Sequence, residues 1–149
     1  QAGQAWYLAG RPDKALNLQS KLLDLMPGDP ELWVDRAVTL MDLEKHDAAL
    51  SDLDEAIRLQ PDQAEAHIYR AVALRRLDRL EDAERAIDIV LERAPFNPEA
   101  LLERGILRQY QGDFDSARAD WLQVIRLVPD SDAAAAARGR IEEMDVVVR

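Results

Sequence analysis

The sequence predicts an all-α chain built as an array of antiparallel helix pairs, and three observations predict it. Prolines stand at 27, 61, 95 and 129, each thirty-four residues from the next. Small residues recur on the same period, once as Gly3, Ala37, Ala71, Gly105 and Gly139 and again as Ala15, Ala49, Ala83 and Ala117. Within a thirty-four-residue row the apolar residues fall at helical spacing, as in Leu50, Leu53 and Ile57 or Ile87, Val90 and Leu91. A fixed period of this length marks a repeat architecture, because one helix pair cannot bury its apolar face whereas stacked pairs bury a continuous one.

A truncated leading row, 1–29, predicts helices over 1–9 and 13–25. Three complete rows follow at 30–63, 64–97 and 98–131, predicting helix pairs over 30–42 and 46–59, 64–77 and 80–93, and 98–110 and 114–127. A last helix over 132–145 keeps the small column as Gly139 and has no following helix in its row, so it reads as a capping helix, with 146–149 a frayed tail. The rows together read as one domain over 1–149.

Helix starts are written as Asp29-Pro30-Glu31 and Asn97-Pro98-Glu99. The first residue caps free amides, proline suits the first helical position, and glutamate favours the positive end of the helix. Glu44-Lys45-His46 and Gly112 fall where the two helices of a row turn, and the period prolines close the second helix. The small columns belong where two helices cross closely, since bulk there would push the pair apart. Beside one of them runs an arginine column, Arg36, Arg70, Arg104 and Arg138. It is expected to pair with carboxylates of the adjoining second helices, Asp52 and Asp120, while Ala86 leaves the middle row without an acceptor. A basic ladder for an acidic partner is the alternative.

Composition narrows the functional classes. With a formal charge of −10 and basic residues interspersed among carboxylates, the chain is not expected to bind nucleic acid. No apolar run is long enough to span a bilayer, so no membrane insertion is expected. The absence of cysteine removes thiolate chemistry and leaves redox compartment open; a bacterial cytoplasm or periplasm fits equally. The first residue is Gln1 rather than methionine, which reads as a processed or a truncated chain. His46 sits in a turn and His67 at a helix-packing position, neither with a second ligand nearby, so no metal is expected. The carboxylate pairs Asp52 with Asp54 and Glu142 with Glu143 read as solvated helix faces. There is no phosphate-binding glycine loop and no nucleophile beside a base. No catalytic residue, cofactor or enzymatic activity is expected.

These rows resemble tetratricopeptide repeats in their small columns, apolar columns and closing prolines over nearly the whole chain. Where the family commonly places an aromatic, Trp33 fits, while His67 and Leu101 depart from the pattern. Gln19 stands in an apolar column, which suggests a first row partly exposed or covered by residues upstream. The resemblance implies a right-handed superhelical array whose first helices line a concave groove for a partner's peptide or amphipathic helix. The inward residues would be Val34, Val38 and Met41, then Ile68, Val72 and Arg75, then Leu102, Ile106 and Gln109. Glu31, Asp35, Glu65, Glu99 and Glu103 would form the rim, which suits a basic flank on the partner. Chaperone-binding members hold a C-terminal carboxylate with lysine and asparagine at these places, which the apolar residues here could not do, so an Hsp70 or Hsp90 tail is not expected. The apolar groups could instead be packed between neighbouring first helices. The structural alternative is self-association, as a homodimer through Trp6, Tyr7 and Leu8 or as part of a longer array.

Overall fold

The computed structural model describes residues 11–148. Helices α1 (Pro12–Leu25), α2 (Pro30–Asp42), α3 (His46–Leu59) and α4 (Ala64–Arg76) belong to a compact unit that ends at Arg79. Helices α5 (Leu80–Arg93), α6 (Pro98–Tyr110), α7 (Phe114–Leu127) and α8 (Asp132–Val148) belong to a second unit that begins at Leu80. The boundary falls inside the row 64–97, between its two helices. In each unit successive helices pack as antiparallel neighbours, and the first helices of successive rows also touch, α2 with α4 and α6 with α8. The helix expected over 1–9, with Gly3, Trp6, Tyr7 and Leu8, lies outside the described residues.

The helix borders from α1 to α7 follow the predicted spans to within one residue. Local chemistry explains the starts. The Asp29 side chain accepts from the Glu31 amide, that of Asn97 from the Ala100 amide, and that of Asp113 from the Ser116 amide. Pro30 and Pro98 open α2 and α6, and Pro12, the one proline outside the period, opens α1. Helix α8 differs from expectation, because it runs three residues past 145 instead of fraying. No glycine or proline follows Gly139 to stop it. Met144 is buried, and Asp145 pairs with Arg118 of α7, so both sides of the last turns are held.

The turns inside the rows share one geometry. Glu44, Asp78 and Gly112, spaced by the same thirty-four residues, all take positive φ, 61°, 61° and 82°. The amide after each donates to the carbonyl five residues earlier, Lys45 to Leu40, Arg79 to Leu74 and Asp113 to Arg108, at 2.8–2.9 Å. This Schellman closure satisfies carbonyls that the helix end leaves free. At the other end of each row the period proline follows its helix by two residues, where a residue without an amide cannot continue it. The carbonyls of Pro27 and Pro61 then accept from Trp33 Nε1 and His67 Nε2, both at 2.8 Å. His67 therefore replaces the missing aromatic in kind, as a flat ring with a donor nitrogen. Leu101 fills the same place by packing alone and is buried.

The core is organised by the small columns. Ala37, Ala71, Ala49, Ala83 and Ala117 are fully buried, as are Leu53, Ile87 and Trp121 in the large apolar column. In the α6–α7 pair the fit is tightest. A methyl group added at Gly105 would come within 2.7 Å of Trp121 Cδ1 and closer still to Nε1, which donates to the Leu102 carbonyl at 3.2 Å. Gly105 thus stands against Trp121, the bulkiest member of the large apolar column, whereas the rows with alanine in the small column carry leucine or isoleucine there. Gln19 is buried, and its side-chain amide donates to the Asp35 carbonyl of α2 at 3.3 Å.

Overpacking of these crossings should destabilise without unfolding the helices individually. Gly105→Ala and Ala71→Leu are each expected to lower stability by roughly 1–3 kcal/mol. Urea denaturation followed by circular dichroism measures it, and midpoints equal to the parent's would refute the assignment of the crossing points.

Candidate partner-binding faces

In the first unit the exposed side of the α2/α4 contact is built from two short stripes at helical spacing. Val38 on α2 and Ile68, Val72 and Arg75 on α4 are half-buried, whereas Val34 and Met41 are buried and belong to the packing. Glu31 and Glu65 are exposed and Asp35 is half-buried. Burial raises the Asp35 pKa above its ordinary value, and the charges of Glu65 on α4 and of Glu31 and Asp29 at the start of α2 raise it further. The face thus joins aliphatic side chains to crowded negative charge.

In the second unit the corresponding stripe on α6 is more closed. Ile106 is buried and Leu102 half-buried in one cluster with Ala133, Ala137 and Met144 of α8, so this aliphatic pair is committed to contacts between first helices. Gln109 is half-buried and Glu99 exposed. Glu103 is buried, contrary to its expected rim position. It shares a helix stripe with Ala100 and Leu107, both buried, and that spacing was the available signal.

The arginine column is a structural element. Arg36 makes two hydrogen bonds to Asp52, both at 2.8 Å, and Arg104 makes two to Asp120, at 3.0 and 2.8 Å. Hydrogen bonding to these carboxylates raises both arginine pKa values against the opposing effect of burial. Both aspartates are buried, so the reading of Asp52 as part of a solvated pair does not hold. Arg70, whose row holds Ala86 where the others hold aspartate, pairs with Asp54 of α3 at 2.8 Å. Arg138 donates to the Pro129 carbonyl at 2.8 Å. Unforeseen in the sequence, Arg108 adds a second cation to Asp120 at 2.9 Å, one helical turn beyond Arg104. Arg36 also lies over the Trp33 ring, 5.2 Å from its centroid, so the column and the aromatic position support each other.

His46 is the first residue of α3, buried, with Nε2 3.0 Å from Glu44 Oε2. Among the described residues no group of three or more histidine, aspartate or glutamate side chains is arranged to hold a metal ion. Among them too, no helix is long and apolar enough to cross a membrane.

Residues 34–98 and 102–145 match the tetratricopeptide repeat family, and the chain belongs to it. Comparison with curated proteins gives no match. Among solved structures the fold is similar to MamA, with a TM-score of 0.74 and 21% identity over 94% of this chain and 85% of that one. The first TPR of Spaghetti (RPAP3), bound to the HSP90 peptide SRMEEVD, is 31% identical with a TM-score of 0.70, over 74% of this chain and 88% of that one. YrrB, a TPR protein with an unusual peptide-binding site, matches at 22% identity and a TM-score of 0.74, over 93% and 71%.

Removing one member of a buried pair strands the other. Arg36→Ala should lower stability by about 1–3 kcal/mol by leaving Asp52 without its donors. Adding Asp52→Ala should recover part of that loss in a double-mutant cycle, and a purely additive cycle would deny the coupling.

Proposed function

We propose that this chain is a protein-interaction scaffold that holds a peptide or amphipathic helix of a partner through the first helices of its rows, with basic residues of the partner over the α2/α4 face. The observation that carries this reading is the joining of half-buried Val38, Ile68 and Val72 to the negative charge of Glu31, Asp35 and Glu65. An aliphatic stripe alone would fit ordinary packing. A carboxylate whose charge is disfavoured by burial and by its neighbours gains most from a cation brought to it. Membership of a family in which RPAP3 and YrrB are peptide-binding supports the general mode. The RPAP3 ligand, SRMEEVD, carries three acidic side chains. These would be repelled by Glu31, Asp35 and Glu65, so the preferred partner here has the opposite charge.

Two experiments test the reading, using a partner captured by the chain and then titrated as a purified protein. Val38→Glu combined with Val72→Glu should keep the helical circular dichroism and lose the partner. Unchanged affinity would move recognition to another surface, and unfolding would assign both valines to the core.

The second experiment uses the raised Asp35 pKa. A carboxyl that holds its proton more tightly when folded makes the folded state less stable as pH rises through that raised pKa. Asp35→Asn should therefore stabilise the free chain at neutral pH, with the gain vanishing at pH below the carboxyl's titration. The same variant should bind the partner more weakly, and parent affinity should fall as Asp35 becomes protonated. An affinity indifferent to both the substitution and pH would exclude Asp35 from recognition.

A further inference from the structure

The side of α2 and α4 that carries Val38, Ile68 and Val72 lies within the array rather than at its end. Helices α1 and α3 both pack on α2, and α3 packs on α4. The register that builds the array thus delivers its second helices elsewhere and assigns none of the chain's own helices to this side.

Along α2 one stripe at helical spacing carries Glu31, Asp35, Val38 and Asp42. Its counterpart on α4 carries Glu65, Ile68, Val72 and Arg76, and is roughly 16 Å long at about 1.5 Å per helical residue. The two helices are parallel, since each is antiparallel to α3. Three carboxylates therefore gather where α2 and α4 start, and the aliphatic residues follow them. At the far end exposed Asp42 is offset by exposed Arg76.

This surface is poor in groups that could bond a partner's backbone. Neither α2 nor α4 contains asparagine, glutamine or serine. Thr39 is buried, and its hydroxyl donates to the Asp35 carbonyl of its own helix at 3.3 Å. Trp33 and His67 give their ring N–H groups to the carbonyls of Pro27 and Pro61, and Tyr69 is engaged as well. An extended segment laid across Val38, Ile68 and Val72 would leave the amides and carbonyls on its buried side unmet, at a cost for each. A helix satisfies those groups within itself and brings only side chains to the contact.

Charge then sets the direction. Basic residues stabilise a helix from its last turn and weaken it from its first. They meet Glu31, Asp35 and Glu65 with least loss of partner helicity when the partner's last turn lies over the start of α2 and α4. Resting on the reading of this face as a binding surface, we infer that its occupant is a helix of a partner protein rather than an extended peptide. It runs antiparallel to α2 and α4, with lysine or arginine in its last turn and an aliphatic stripe before it.

The probes are three end-capped synthetic peptides of about 18 residues, long enough to hold helix on a surface. Two share one composition and one leucine stripe, with lysines in the last turn or in the first, and the third adds a central proline to the former. Each is titrated into the full chain labelled with ¹⁵N. The peptide with lysine in its last turn is expected to shift the amides of Val38, Ile68 and Val72 and to gain helical circular dichroism on binding. It should bind at least roughly tenfold more tightly than the proline peptide. A nitroxide at its C-terminus should broaden Glu31 and Glu65 and spare Arg76. Glu31→Lys combined with Glu65→Lys, both at exposed positions, should erase its advantage over the peptide with lysine in the first turn. Equal affinity of the proline peptide, broadening at Arg76, or a lysine preference that survives the double substitution would overturn the antiparallel helix and leave the binding face standing. No shift at these residues with any peptide would remove the face and the function proposed for it together. Shifts at the same residues on concentrating the chain alone would make the occupant a second copy, and would overturn the assignment to a partner protein.

Discussion

The closeness with which two helices can approach governs this molecule. At the α6–α7 crossing Trp121 lies so near Gly105 that there is no space for a methyl group. That proximity brings the flanking Arg104 against Asp120, removes the aspartate from water, and lets the indole donate to the Leu102 carbonyl. The α2–α3 pair carries alanine and leucine in the same columns, Ala37 and Leu53, both fully buried, and Arg36 again finds Asp52. An ion pair at such a place is a consequence of packing as much as a cause of it. A buried aspartate without its arginine would oppose the fold, so charge and volume must be set together.

Because contacts run mainly between sequence neighbours, the rows carry stability locally. On the α2/α4 side, aliphatic groups and mutually repelling carboxylates occupy the same surface. The α6/α8 side instead closes on itself through Leu102, Ile106 and Met144. Equivalent positions in a repeat therefore need not do equivalent work. Substitution of one column by larger or smaller groups converts a presented face into a packed one.

Helix order, turn placement and the crossing residues were legible because each leaves a periodic trace of its own, and a period of thirty-four survives substitution at any single site. The carboxylate partners of Arg36 and Arg104 were legible for the same reason. What escaped depends on neighbours that a single row does not encode. Glu103 carries a signal only in its spacing from Ala100 and Leu107, and that spacing decides nothing until the packing of neighbouring helices buries those two. Val34, Met41 and Ile106 share their spacing with Val38 and Val72, and only the packing separates those that are covered. The continuation of α8 through Val148 rests on Met144, whose counterpart one row earlier, Tyr110, is exposed, and on the Arg118 to Asp145 ion pair, which that earlier row has only as a hydrogen bond between Gln111 and Glu84.

The left-handed turns have a thermodynamic meaning beyond their geometry. Gly112 enters that conformation freely but surrenders more chain entropy in doing so, whereas Glu44 and Asp78 hold side chains in a conformation that opposes them. One turn of the chain is thus limited by disorder in the unfolded state and two by tension in the folded one. Three turns of matching hydrogen-bond pattern accordingly respond differently to temperature and to local opening, and the uniformity of the backbone conceals an uneven distribution of compliance along it.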